Sequence, residues 1–397
     1  MTNIAILGFG VVGSGIAEVI TQNSEIIKNK IGDEINIKYI LDLREFPDSP
    51  FADKIVHDFN IILNDDEVSI VAEAMGGLHP AFDFSEQALK KGKSVVTSNK
   101  HVVAEKGDVL LKTAAENGVR YLFEASVGGG IPVLRPLGTC LAANKINEIN
   151  GILNGTTNYI LTQMIDFGKT FEVALKEAQM KGYAEANPTA DVDGIDACRK
   201  ICILAAIAFG KLINPSEVST VGISNIRLND VKNASEAGYA IKLIGQAKDI
   251  NGKMSVSVAP RLVPNTNLLS KVDDVFNGIL VNGNASDDII FIGKGAGKMP
   301  TASAVVADIV DIAGRPEIKN QQWAQADKND LVPSDDVVSA YYVCTTSSED
   351  AVKSAFNEYS ALSLKDGEFS FITPAMKKSA FNEMASKIDV ISSFEIL

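Results

Sequence analysis

The residues of this chain best suited to chemistry lie between positions 178 and 200, in the run Ala-Gln-Met-Lys-Gly-Tyr-Ala-Glu-Ala-Asn-Pro-Thr-Ala-Asp-Val-Asp-Gly-Ile-Asp-Ala-Cys-Arg-Lys. Glu185, Asp191, Asp193 and Asp196 crowd the approach to a segment that continues Ile201-Cys202-Ile203-Leu204-Ala205-Ala206-Ile207-Ala208-Phe209. From Gly194 to Phe209 only Asp196, Arg199 and Lys200 carry charge. A helix apolar nearly all round packs inside a protein rather than on its surface. Charges taken out of water there need partners. Asp196 and Lys200 stand four apart, so a helix projects both from one face, about one turn from each other. An ordinary surface ion pair has the same spacing, but the apolar flanks favour burial. A buried ammonium among carboxylates is an acid/base or substrate-holding group.

A second constellation opens the chain. Asn3-Ile4-Ala5-Ile6-Leu7 reads as a strand, Gly8-Phe9-Gly10-Val11-Val12-Gly13 as a glycine turn, and Ser14 to about Ile27 as a helix. GxGxxG alone is a weak signal; between a strand and a helix it is a dinucleotide fingerprint. Gly8 permits the tight turn, Gly10 lets backbone approach a pyrophosphate, and Gly13 lets helix and strand pack closely. The helix start offers amides to the phosphates. Ile35 to Leu41 makes a second strand ending at Asp42, where a carboxylate would hold the ribose hydroxyls of NAD. Arg44 close by favours a 2′-phosphate instead, so both NAD and NADP stay open, with NAD preferred.

The elements around these residues set the fold class. Ser69–Glu73, Ser94–Thr97 and Tyr121–Glu124 are apolar runs alternating with helical segments near 80–92 and 106–117, which indicates a parallel α/β sheet. From about residue 131 the pattern changes to strands of a mixed sheet at Glu148–Leu153, Lys253–Ala259 and Gly278–Asn282, with helices near 157–168, 171–182, 194–210 and 236–247. Gly293-Lys294-Gly295-Ala296-Gly297 is a glycine-rich turn before an amphipathic helix from Thr301 to Ile312. Residues 315–335 are polar and read as a linker. The tail runs strand (Val337–Thr345), helix (Ser348–Tyr359), two strands (Ala361–Thr373), helix (Ala375–Ser386), strand (Val390–Ile396), the ferredoxin-like βαββαβ order. The expected organisation is an α/β protein. A Rossmann-type domain over 1–130 is completed by 295–315, and an α+β catalytic and dimerisation domain spans 131–314. The linker over 315–335 leads to a ferredoxin-like module over 336–397.

Bulk properties exclude other classes. At 397 residues, two or three domains are expected. A composition of 46% hydrophobic and 22% charged residues is ordinary for a globular protein. A net charge of −13 argues against nucleic acid as the main partner. No apolar run reaches the roughly 18–20 residues of a membrane span, and a strand pattern from Asn3 leaves no room for a signal peptide. Cys140, Cys198, Cys202 and Cys344 lack zinc or redox spacing and read as reduced thiols, which places the protein in the cytoplasm. His57, His79 and His101 form no cluster.

Taken together, these motifs resemble the homoserine dehydrogenases. Ala178 to Lys200 follows that family's signature of Ala, Gly after three residues, Asn-Pro, Asp, Gly, Asp and a closing Lys. The glycine turn through Gly15, Val95-Val96-Thr97-Ser98-Asn99-Lys100, Leu153-Asn154-Gly155-Thr156-Thr157-Asn158-Tyr159, and Gly295-Ala296-Gly297 with Thr301-Ala302-Ser303-Ala304 agree in order, over residues 1 to about 315. The resemblance implies interconversion of L-aspartate 4-semialdehyde and L-homoserine with NAD or NADP, on the route to threonine, methionine and isoleucine, by a homodimer or homotetramer. It makes Lys200 the proton donor, Lys100 a second lysine near nicotinamide and substrate, and Glu185, Asp191 and Asp196 the acidic residues that hold the substrate amino group and order the lysine. Tyr183 and Thr156 join the substrate set. The cofactor set is Gly8, Phe9, Gly10, Val11, Val12, Gly13, Asp42, Gly76, Lys100 and Gly297. Glu124-Ala125-Ser126-Val127-Gly128-Gly129-Gly130-Ile131 resembles the family's sodium loop, in which Glu124 and the carbonyls of Val127, Gly129 and Ile131 would coordinate the ion. An ion-free hinge is the alternative.

Two departures bear on function. Leu41 stands where many members carry an arginine, which weakens the case for NADP. The C-terminal unit resembles an ACT domain, but Thr345-Thr346-Ser347-Ser348-Glu349-Asp350 lacks the usual Asp-x-Pro-Gly turn, so a threonine effector and a plain dimerisation role are both open. The rival reading is a non-catalytic, nucleotide-binding regulatory protein with an amino-acid sensor. The intact Lys100 and Lys200 speak against it.

Overall fold

Ile4, Ala5, Ile6 and Leu7 are fully buried, and the strand they complete, Thr2–Leu7, pairs in parallel with Ile35–Leu41 on one side and Val68–Glu73 on the other. Strands covered on both faces read as unbroken apolar runs, which is how these segments read. Ser94–Thr97 and Tyr121–Leu122 extend the sheet beyond Val68–Glu73, and Ile55–Val56 lies beyond Ile35–Leu41. The order reverses beside Thr2–Leu7. Such a switch point opens the crevice in which dinucleotide-binding sheets hold their ligand. The computed structural model describes all residues except 316, 319, 320 and 366. It divides the chain into two units, the first comprising residues 1–144, 202–215 and 293–326. Within that unit the helix Lys298–Gly314 packs on the helix Val11–Gln22, where the absence of a side chain at Gly15 lets Ala302 and Lys298 approach.

The second unit comprises residues 145–201, 216–292 and 327–397. Its centre is the twelve-residue antiparallel pairing of Tyr239–Ile250 with Lys253–Pro264. Ile146–Ile152 joins next to it and is followed by Phe276–Gly283. The helix expected near 236–247 is therefore a strand. The helix of this region is Leu228–Glu236, and Gly238, at φ +85°, separates the two. Ala240 to Ala247 is buried without interruption, so no period-two alternation marks the strand, and its Ala, Lys, Leu and Gln content favours helix locally.

The C-terminal strands Val390–Ile396, Tyr341–Thr345, Glu368–Ile372 and Ser360–Lys365 lie side by side in that order, all antiparallel. This is the ferredoxin-like arrangement of the βαββαβ run. Helices Glu349–Ala355 and Lys378–Ala385 contribute to an aromatic core of Tyr341, Phe356, Phe369, Phe371 and Phe381. The module is continuous with the unit's sheet, because Val390–Ile396 pairs in parallel with Lys253–Pro264. The buried Arg261 fixes that seam, donating to Glu395 at 2.8 Å and to the Ile244 carbonyl at 3.0 Å. The polar stretch expected as a linker holds paired structure of its own, with Ala324–Gln325 alongside Lys211–Leu212. Among the described residues no helix is long and apolar enough to cross a membrane.

Arg227, ahead of the Leu228–Glu236 helix, ties that helix to the module. Its guanidinium donates to Asp230 at 2.7 Å and to Glu368 at 2.7 Å, and the fully buried Asp230 also accepts the Ser392 hydroxyl at 2.7 Å. Breaking a buried pair from one side costs roughly 3–5 kcal/mol. Asp230→Ala is expected at the low end of that range, because Arg227 keeps Glu368 and is partly exposed. Urea unfolding against the parent chain measures it.

Candidate active site

The glycine turn has the geometry of a nucleotide cradle. Gly8 sits at φ +91°, which a residue with a side chain adopts only under strain. A Cβ on Gly13 would lie 1.8 Å from the Gly8 carbonyl oxygen, so only glycine lets the helix start this close to the strand end. A Cβ on Gly10 would meet nothing within 4 Å; that side of the loop is open. The helix Val11–Gln22 has no side-chain cap, leaving the amides at its start for an anion. The Phe9 N–H donates to Asp42 Oδ2 at 2.8 Å, tying the loop to the end of the second strand. Arg44 clasps the same carboxylate through Nε and Nη2, both at 2.9 Å, and with the Phe9 amide holds Asp42 well below the usual carboxylate range.

Across the switch point, the last residue of Val68–Glu73 is a fully buried carboxylate. Glu73 accepts the Thr97 hydroxyl at 2.5 Å and the Met75 amide at 2.7 Å, and burial pushes its pKa up. Gly76 follows at φ +79°. Asn99 caps the helix Lys100–Glu116, accepting the amides of His101 and Val102, and its Nδ2 donates to the Gly77 carbonyl at 2.7 Å. Lys100 thus starts a helix whose position is fixed by the loop that follows the neighbouring strand. Gly297, at φ +128°, immediately precedes the helix Lys298–Gly314.

The acidic signature folds into a tight cluster in the second unit. Lys200 and Asp196 lie on the helix Ile195–Phe209, 8% and 6% exposed, with Nζ 2.7 Å from Asp196 Oδ2. Lys200 also donates to the Leu153 carbonyl at 2.7 Å. Asn154 donates through Nδ2 to Asp191 Oδ1 at 2.7 Å and to Asp196 Oδ2 at 2.9 Å. The structure thus gathers Asp191, Asp196 and Lys200 around a residue that the helix-capping pattern alone marks as structural. Glu185 and Tyr183 lie on the exposed approach. The Glu185 carbonyl accepts from Gln179, and the Tyr183 ring packs edge-on against Tyr159. The Thr156 hydroxyl is engaged by the Tyr183 carbonyl at 2.6 Å, so it anchors that approach.

Two models of known families match the chain: "Homoserine dehydrogenase, NAD binding domain" over residues 8–124 and "Homoserine dehydrogenase" over residues 132–310. A homoserine dehydrogenase of Neisseria gonorrhoeae is 41% identical over 86% of this chain and 81% of its own length, and one of Helicobacter pylori 40% over 91% and 85%. The chain belongs to the homoserine dehydrogenase family. The crystal structure of a homoserine dehydrogenase from Thiobacillus denitrificans superposes with a TM-score of 0.91 at 34% identity, over all of this chain and 98% of that one. A hyperthermophilic archaeal homoserine dehydrogenase in complex with NADPH superposes with a TM-score of 0.70 at 29% identity, over 81% of this chain and 99% of its own.

In the loop that resembles the family's sodium site, the Glu124 carboxylate is engaged by main-chain amides. Glu124 accepts the amides of Val133 and Leu134 on Oε1, at 2.7 and 2.9 Å, and of Arg135 on Oε2 at 2.7 Å. Three N–H dipoles aimed at one carboxylate make it a helix-start cap. They also oppose a cation at the same oxygens. Any ion at this loop would have to be met by main-chain carbonyls, where Gly128 and Gly129, at φ +73° and +54°, turn the chain. Among the described residues no three His, Cys, Asp or Glu side chains gather as a metal set.

The glycines make separable predictions. Gly10→Ala should leave stability within about 0.5 kcal/mol yet weaken nucleotide binding. Gly13→Ala should destabilise by about 1–3 kcal/mol or more, because backbone must move. Thermal unfolding with and without nucleotide separates the two effects.

Proposed function

We propose that this family member catalyses the NAD(P)-dependent interconversion of L-homoserine and L-aspartate 4-semialdehyde, on the route to threonine, methionine and isoleucine in the cytoplasm. The observation that carries the reading is the buried Lys200–Asp196 pair, gripped by Leu153 and Asn154 inside the acidic signature. The nicotinamide, when bound, supplies or accepts the hydride. Reduction leaves negative charge growing on the aldehyde oxygen, and a fixed ammonium that can release a proton stabilises it. Lys200 Nζ donates that proton, and in the oxidative direction takes it from the homoserine hydroxyl. Asp196 balances the lysine charge and fixes its direction. The substrate ammonium is assigned to Asp191 and to Glu185 on the exposed approach. Lys100 is assigned, on the family resemblance, to the nicotinamide and substrate.

The residues at the nucleotide loop support NAD as the preferred cofactor. Asp42 is charged and held where the ribose diol would bind, and a 2′-phosphate there would face that charge. A cation at the 124–131 loop, if sodium is bound, is assigned to the carbonyls of Val127, Gly129 and Ile131.

Absorbance of the reduced nicotinamide during homoserine oxidation tests both readings. Lys200→Ala should lower kcat by about a hundredfold or more while nucleotide binding persists; wild-type-like turnover in that variant would overturn the assignment. NAD should give the higher kcat/KM in the parent chain. Arg44→Ala should widen the gap by depressing NADP use, and a parent enzyme favouring NADP would refute the preference.

A further inference from the structure

Leu153 and Asn154 are adjacent in sequence, and between them they hold both members of the buried ion pair. The Leu153 carbonyl accepts from Lys200 Nζ, and Asn154 Nδ2 donates to Asp196 Oδ2, the same oxygen that accepts from Lys200. The Asn154 amide nitrogen has two hydrogens, and its second partner is Asp191 Oδ1. Its Oδ1 accepts the Thr157 amide at 2.8 Å, capping the helix Gly155–Phe167. The amide has only one sensible orientation here. Flipped, its carbonyl would face two carboxylates and its NH2 group would face an N–H.

We propose that Asn154 is a positioning residue for the reaction: it joins Asp191 to Asp196 and directs the Asp196–Lys200 pair. The proposal rests on the assignment of Lys200 as acid and base. Two carboxylates brought to one amide repel each other, and the two N–H bonds offset that repulsion. Donation from Asn154 also reduces the basicity of the Asp196 oxygen, so the lysine proton is less strongly drawn to Asp196 and is better placed for transfer to substrate. The charged side chains bonded to this dipeptide are Asp191, Asp196 and Lys200, while Glu185 and Asp193 on the same segment are exposed.

Helix capping and positioning can be separated. Asn154→Asp keeps an oxygen for the Thr157 amide, since aspartate caps as well as asparagine, but it replaces both donors with negative charge. Asn154→Ser keeps a capping hydroxyl and cannot reach both carboxylates at once. Both variants should retain nucleotide affinity and lose about ten- to a hundredfold in kcat for homoserine oxidation. Added negative charge favours the charged ammonium. In the Asp variant the pH at which oxidation rises should therefore move up by about one unit or more, and in the Ser variant much less. Reductive 13C-methylation of lysines, with Lys200→Arg to assign its signal, follows the Lys200 titration by NMR in the absence of turnover. Its midpoint should move upward in the Asp variant. Parent-like kcat in both variants, or an unmoved midpoint in the Asp variant, would reduce Asn154 to a helix cap. A parent chain without homoserine turnover would instead sink the reaction, leaving the NMR titration to decide the role of Asn154.

Discussion

An ammonium that is 8% exposed must have its charge met inside the fold, and much of the second unit is arranged around that requirement at Lys200. The effective penalty for burying an ion is several kcal/mol, repaid only where geometry is exact and hydrogen bonds are complete. The Lys200 charge is met by Asp196, one turn back on the same helix, and by the Leu153 carbonyl just beyond the strand Ile146–Ile152. For that carbonyl to reach the helix, the Leu153 side chain must fit into the sheet. Gly151 and Gly245 are register partners on adjacent strands, and a Cβ on either would come within 3 Å of Leu153. At Gly245 it would also crowd Ile201, the residue after Lys200. Two missing side chains in the sheet thus decide where the Lys200 nitrogen sits.

Most of this architecture was legible in residue patterns, and the exceptions share a cause. Apolar runs, the glycine turn and the helical spacing of Asp196 and Lys200 report local chemistry, so they located the nucleotide sheet and the lysine. Tyr239–Ile250 reads as helix because burial on both faces erases alternation, and only pairing over twelve residues overrides the local preference. Glu73 carried no signal of its own, since its partner Thr97 lies twenty-four residues away, and Asn99, though inside a visible motif, reaches back twenty-two residues to Gly77. Asn154 lies inside a motif that was visible, yet its contacts to Asp191 and Asp196 span thirty-seven and forty-two residues. Glu124 adds a role that its motif did not signal: its carboxylate oxygens accept amides nine to eleven residues ahead.

A second set of buried charges explains why the chain returns to the first unit after residue 293. Asp308, on the helix Lys298–Gly314, accepts the Glu124 amide at 2.8 Å and pairs with Arg135, while Asp311 on the same helix takes Arg120 at 2.9 Å. Burial pushes the Asp308 carboxyl up to about 7 against the pull of Arg135. Arg120 also donates to the backbone carbonyls of Asp311 and Arg315, reaching across the end of that helix. A cation at a helix C-terminus meets orphan carbonyls and the negative end of the helix dipole together. The helix is therefore fastened by position-specific bonds as well as by apolar packing on Val11–Gln22, and its register against the nucleotide sheet is specified.

The asparagine caps at 99 and 154 show why asparagine stands at these positions. Asp, Ser or Asn would each accept the helix-start amide about equally well. Asn alone of the three also carries an amide N–H2 group, and both residues use it on a distant element: Asn99 on the Gly77 carbonyl and Asn154 on Asp191 and Asp196. Asn99 joins a helix start to the loop at Gly77, and Asn154 joins one to the helical segments carrying Asp191 and Asp196, so one side chain sets helix position and the geometry of these groups together. A serine would leave the distant acceptor without its donor, and an aspartate would face it with negative charge. The difference lies in a single N–H2 group, and it turns a cap into a coupling between secondary structure and chemistry.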